Sequence, residues 1–289
     1  MEHVLTLVAP DSLDDASVKR FASDAAAPRT DRLGGRAADL YTSAGRDALL
    51  PLVATAQAEG LDAAVTPAEG RRKSVLISDM DSTIIEQECL DELADLAGFG
   101  EEIKAVTERA MRGELDFEAA LVSRVAKLKG LPTTTVDQVL AERIRLSPGA
   151  RTLVTTMAAH GATTALVSGG FTLFTGPVAA QAGFAFHFGN QLIEGDDDCF
   201  TGEVARPILG REAKQERLLA LCREKSVGPA AALALGDGAN DLAMIEEAGL
   251  GIAYRAKPVV AGAADAAIHH TDLTTALYFQ GYRDNEFSF

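Results

Sequence analysis

The stretch SVLISDMDSTIIE (Ser74–Glu86) opens on an apolar run and delivers two carboxylates, Asp79 and Asp81, as that run ends. Side chains alternate along a strand, so residues i and i+2 share a face and the two acids stand a few ångströms apart. Like charges that close repel, and burial adds a desolvation cost. A cation must offset them, or one acid must hold a proton. A short, wholly apolar run closing in polar residues fits a parallel strand covered on both faces, and active sites of such sheets lie outside the carboxyl ends of the strands.

Four more runs of this type follow: TTALVSGG, AALALGDG, GLGIAY and AAIHH, most of them separated by helical segments. Alternation of strand and helix predicts an α/β, Rossmann-like core with a parallel sheet. Three runs end in DMDST, SGGF and GDGAND, which the sheet brings to one edge. Between the first two strands lies an insert, about 88–146, with apolar residues at helical spacing and acid–base pairs four apart. A crossover helix needs only a dozen or so residues, so the insert reads as a helical cap. Ahead of the core, 1–70 reads as a small α/β unit. HVLTLVAP, GRAADLYTS and LDAAVTP are strand-like and two helices separate them, in keeping with a ferredoxin-like βαββαβ order. TPAEGRRK (66–73) supplies the linker, and 74–289 the second domain.

The net charge of −15 excludes nucleic acid and anionic membranes as natural partners, and no apolar run approaches a membrane span. An anionic substrate therefore needs a local cationic feature. The acidic opening MEHVLTLVAPDSLDD does not read as a signal peptide, and three scattered cysteines suit a reducing, cytoplasmic setting.

Asp79, Asp81, Asp237 and Asp241 converge in this scheme on a site of hard oxygen donors, which suits Mg²⁺. Ser168 and Gly169 close a strand where a hydroxyl and free N–H groups make an anion site. Lys214, early in a helix, is either a solvated surface lysine or a point charge for phosphate. EGDDDCF (194–200) reads as an exposed hairpin turn, and His269, His270 and Cys89 as packing residues.

DMDST, SGG, a lysine and GDGAND in that order resemble the haloacid dehalogenase superfamily in its phosphotransfer branch, over about 74–280. STIIEQECLDELA and AMRGELDFEAALVSRV make the chain look most like the phosphoserine phosphatases of that superfamily. That resemblance implies Asp79 as nucleophile, Asp81 as acid and base, and Mg²⁺ on Asp79, the Asp81 main chain and Asp237. Ser168, Gly169 and Lys214 would hold the phosphoryl group, with Asn240 orienting the surroundings. Glu88 and Arg124 would take the amino and carboxylate groups of O-phospho-L-serine, with Met111 and Phe117 lining the apolar part. The N-terminal unit is similar to the ACT-like domain that some relatives carry. Two alternatives stand beside this: a related phosphatase or phosphotransferase for another small phosphorylated amino acid or alcohol, and an amino-acid-sensing regulatory protein. A homodimer is compatible with any of them.

Overall fold

The computed structural model describes residues 2–111 and 116–289, without the side chains of 107–111. The N-terminal unit runs β1 (His3–Val8), α1 (Asp15–Asp24), β2 (Arg29–Arg32), β3 (Ala37–Thr42), α2 (Arg46–Ala58) and β4 (Asp62–Pro67). Its strands pair antiparallel in the order β2-β3-β1-β4. Strand β2, with sequence RTDR, has no apolar residue and gives no strand pattern. It forms because it is an edge strand, where its charged side chains reach water.

One face of this sheet, with Leu5, Leu7 and Leu40, packs on α1 and α2 through Phe21 and Leu49. The opposite face is also buried, against the C-terminal part of the chain. There Arg71 contacts Asp39 at 2.5 Å and 3.0 Å and donates to the carbonyls of Tyr278 and Phe279. Asp62, fully buried, accepts from the N–H groups of His269, His270 and Thr271.

The second sheet has six parallel strands in the order β12-β11-β10-β5-β6-β7. They are β5 (Val75–Ser78), β6 (Thr163–Phe171), β7 (Phe186–Asn190), β10 (Ala232–Gly236), β11 (Leu250–Tyr254) and β12 (Ala266–Ile268). Alternation sends Leu76, Leu166 and Leu233 to one core, and Val75, Ile77 and Ala234 to another. Helices α7 (Ala150–Ala159), α8 (Thr172–Ala182), α9 (Arg211–Glu224), α10 (Leu242–Glu247), α11 (Pro258–Ala263) and α12 (Thr275–Phe279) cover them. Strand β7 joins the five strands predicted from sequence. The segment FHFGNQLIE splits, because its first half pairs with β6 and its second half, β8 (Leu192–Glu194), forms a hairpin with β9 (Phe200–Val204). From β5 the chain moves to β6 on one side and later to β10 on the other. That switch of direction opens a crevice beyond their carboxyl ends.

Over the crevice lie α3 (Cys89–Leu96) and α5 (Phe117–Val125), with α4 (Gly100–Met111) and α6 (Thr135–Glu142) packed beside them. Two antiparallel tethers join them to the sheet: the Ser147 N–H donates to Ile84 O at 2.8 Å and the Glu86 N–H to Arg145 O at 3.1 Å. Among the described residues, no helix is long and apolar enough to cross a membrane.

Candidate active site

Asp79 follows directly on β5 and is 5% exposed, and its N–H is fixed to Leu235 O of β10 at 2.9 Å. The chain then turns sharply, with Ser82 in the left-handed region at φ 53°. Lys214 reaches in from the first turn of α9 and is 1% exposed, so it is not the solvated lysine that its helix position allowed. Its Nζ lies 2.6 Å from Asp79 Oδ1 and 2.6 Å from Asp241 Oδ1. Burial disfavours the ammonium, but the charges of Asp79 and Asp241 outweigh it and raise the lysine's pKa. Burial, then the Asp241 charge, raises the Asp79 carboxyl, and Lys214 opposes them. The other oxygen of Asp241 accepts from the N–H groups of Asp237 (3.2 Å) and Gly238 (3.1 Å). Gly236 is required beside it, since a Cβ there would lie 2.5 Å from the Asp241 carboxylate.

Asp81 shares the pocket wall. Its Oδ1 accepts from the Cys89 N–H at 2.8 Å and its Oδ2 from Ser168 Oγ at 3.0 Å. Burial raises its pKa against both hydrogen bonds. Ser168 Oγ also accepts from the Gly170 N–H at 2.8 Å, so the hydroxyl expected for an anion already serves Asp81 and its own turn.

The cap closes the other side. Glu88 accepts from Ser82 Oγ at 2.7 Å. Desolvation on its protein side, then the Asp81 charge, pushes Glu88 up to about 7; water reaches this exposed residue from the pocket mouth and weakens that push. The buried Nε of Arg124 has no hydrogen-bond partner among the described residues. Burial lowers the Arg124 pKa, against the charges of Asp91, Glu88 and Asp81. Phe117 lies over Gly169, where a Cβ would come within 3.1 Å of its Cζ. Asn240 lines the same cavity of about 490 Å³. The side chain of Met111 lies outside the described residues. Cys89 is buried, and burial followed by the Asp81 charge raises its thiol, which matches a packing role.

The carboxylates of Asp79, Asp237 and Asp241 come within 4.8 Å of one another. Asp241 has both oxygens engaged, by Lys214 and by two backbone N–H groups. Among the described residues, Asp79 uses only Oδ1, toward Lys214 and the Met80 N–H. Asp237 meets Thr83 Oγ1 at 3.4 Å, and burial, then the Asp241 charge, pushes it up to about 6. A set made only of oxygen donors, with two partly free carboxylates, fits a hard divalent ion such as Mg²⁺.

Three residues absent from the sequence-derived set belong to this neighbourhood. Thr83, fully buried, steadies Asp237, and its place inside DMDST was the available signal. Lys257 lines the cavity near Asp237 with no motif to mark it. Asn190 binds the Gly169 carbonyl from β7, and nothing in FHFGN distinguishes it from an edge-strand residue.

A model of haloacid dehalogenase-like hydrolases matches residues 76–246. A phosphoserine phosphatase of Archaeoglobus fulgidus is 42% identical over 216 residues, 74% of this chain and 62% of that protein. The chain spans 62%, 57% and 52% of the length of three such relatives. Among solved structures, a HAD family hydrolase of Salmonella enterica serovar Typhi superposes with a TM-score of 0.87 at 29% identity, covering 96% of this chain and 98% of the other. A probable phosphoserine phosphatase of Vibrio cholerae, unliganded, gives 0.79 at 31% identity, covering 97% and 86%. Acids at adjacent parallel strand ends, a buried lysine between them and a matching model over more than half the length lead to one family: this chain belongs to the haloacid dehalogenase-like hydrolases.

Proposed function

We propose that the chain is a phosphoserine phosphatase, hydrolysing O-phospho-L-serine to serine and phosphate through an aspartyl-phosphate, in the cytoplasm and in service of serine synthesis. One observation carries the proposal. Asp79, paired with the buried Lys214, shares a single cavity with Arg124, whose buried Nε has no hydrogen-bond partner among the described residues. The similarity to phosphoserine phosphatases supports the same substrate. We take 1–70 as an N-terminal ACT-like domain and 74–289 as the catalytic domain, with the cap at about 88–146.

In this mechanism the Asp79 carboxylate attacks phosphorus, forming an O–P bond while the bond to the serine oxygen breaks. Asp81, its pKa raised by burial, gives the departing oxygen its proton. The resulting carboxylate then takes a proton from water, which attacks the aspartyl-phosphate and frees Asp79. Lys214 bears on the phosphoryl oxygens while holding Asp79 in line. Mg²⁺ would be held by Asp79, Asp237 and the Asp81 main-chain carbonyl, and would neutralise phosphoryl charge. Asp241 positions Lys214. Arg124 can grip a carboxylate through two parallel hydrogen bonds, Glu88 faces the substrate ammonium, and Phe117 screens the site from water.

A purely amino-acid-sensing protein has no need of this assembly, so that reading is the weaker. The test is phosphate release from a panel of phosphomonoesters, with Mg²⁺ or a chelator, for wild type and Asp79→Asn. Turnover is expected only for wild type with Mg²⁺, with phosphoserine preferred. Activity surviving both the chelator and the substitution would sink the mechanism, and preference for a sugar phosphate would sink the substrate. Arg124→Ala should lose activity chiefly on esters that bear a carboxylate.

A further inference from the structure

Strand β6 keeps register with β7 up to Val167 opposite Phe188, and the next pair is Phe171 opposite Asn190. Four steps on β6 are thus matched by two on β7, so the backbone of Ser168, Gly169 and Gly170 bulges out of the ladder. Bulges of this kind re-aim side chains beside active sites, and the unpaired backbone needs other partners. Inside the bulge, Ser168 Oγ takes the Gly170 N–H. On the outer side, the Gly169 carbonyl is held by the side chain of Asn190.

Asn190 is 3% exposed. Its Nδ2 donates to Gly169 O at 2.8 Å and to Leu209 O at 3.3 Å, and its Oδ1 accepts from the Leu209 N–H at 2.7 Å. Leu209 precedes Gly210, the N-cap of α9, and Lys214 stands in the first turn of that helix. Gly189 lets β7 approach closely enough, since a Cβ there would sit 3.2 Å from Gly170 O, Phe171 C and Thr172 N. One primary amide therefore joins the bulge that carries Ser168 and Gly169 to the segment that carries Lys214. Only a planar group with a donor edge and an acceptor edge satisfies all three contacts. A carboxylate would face two carbonyls without a proton to offer.

We propose that Asn190 is a positioning residue: it sets the separation between the Ser168–Gly170 bulge and the start of α9, so that both address one phosphoryl group. The proposal rests on the phosphatase function put forward above, and it assigns a task to a residue outside the reacting set.

The test compares wild type with Asn190→Asp and Asn190→Ala. It uses calorimetric titration of inorganic phosphate in Mg²⁺, steady-state phosphate release and thermal unfolding. Loss of a group that orients binding residues costs about 10–100-fold. Phosphate affinity and kcat/KM should fall by that factor in both variants, with binding stoichiometry near one per folded chain. Unchanged affinity with only a lower unfolding temperature, or only a lower stoichiometry, would make Asn190 a packing residue and overturn the proposal. If both variants fail to fold, Asn190→Gln carries the test: its amide sits one methylene further out, and wild-type phosphate affinity there would equally overturn it. A wild type that neither binds nor releases phosphate would defeat the phosphatase reading first, and this inference with it.

Discussion

The Lys214 ammonium lies 2.6 Å from Asp79 Oδ1, and neither side chain is appreciably open to solvent. Lys214 also meets Asp241 at the same distance, so a single cation separates two buried carboxylates. Removing one partner of a buried pair costs about 3–5 kcal/mol, because the remaining charge is left uncompensated. Lys214→Met keeps the length of the stem and removes the charge. It should lower stability by about that amount and depress turnover by about 10²-fold or more. Denaturant unfolding and phosphate release, run on the same preparation, check both. A variant as stable as wild type would mean that the acids shed their charge by binding protons.

Glu88 supplies a pH prediction. Its pKa rises from the ordinary 4.5 to about 7, by desolvation first and the Asp81 charge second. Between those values the folded chain holds a proton that the unfolded chain releases. Stability therefore falls as pH rises through that window, and stays at its lower level above it. Glu88→Gln should flatten this slope and leave the protein more stable than wild type at pH 8, with little difference at pH 4. Unfolding midpoints measured in chelator, without substrate, across that range decide it. Parallel curves for the two proteins would contradict the assignment.

Gly170 sits where a Cβ would come 3.0 Å from Ser168 Oγ and 3.3 Å from Asp81 Oδ2. Gly170→Ala should therefore push Ser168 away from the Asp81 carboxylate to which its hydroxyl donates. We expect a kcat about 10-fold lower with little loss of stability, because a 1.4 kcal/mol disturbance suffices for that factor. A drop in KM alone, with kcat intact, would point away from Asp81.

Arg71 and Asp39 form a pair whose side chains are 7% and 1% exposed. Arg71→Met should cost about 3–5 kcal/mol while leaving KM unchanged, since neither residue lines the cavity. Adding Asp39→Leu should recover part of that loss, because a buried ion pair and an apolar pair are often close in energy. Chemical unfolding of the single and double variants measures the coupling.

The parallel core and its acids were legible because their cause is local. Apolar runs such as VLIS and ALALG betray burial on both faces, and carboxylates at their ends stand out against it. The antiparallel unit was partly legible. Strand β2 was hidden because RTDR becomes a strand only through the hydrogen bonds of β3, which propensity cannot register. FHFGNQLI reads as one arm of the hairpin around EGDDDCF, and the pairing of its first half, β7, with β6 was hidden because the chain leaves β7 at once for that hairpin. Lys214 could not be decided from REAKQERLLALCRE, whose charged residues occupy too many positions to reveal which side faces inward. Ser168 was placed at the right turn, but its hydroxyl goes to Asp81 through a contact 87 residues away in sequence. Asn190 depends likewise on Gly169 and Leu209, neither of which is its neighbour in sequence.

The carboxylate of Asp62, at the start of β4, has its hydrogen-bond partners among His269, His270 and Thr271, some 207–209 residues further along. A ribosome adding about 5–20 residues per second needs on the order of 10–40 s to make that distance. Throughout that interval the inner face of the N-terminal sheet lacks its cover, and water must stand in for the partners of Asp62. A message cut short before residue 269 would release the parallel sheet beside an unsealed neighbour. The unit translated early is thus among the last to be closed.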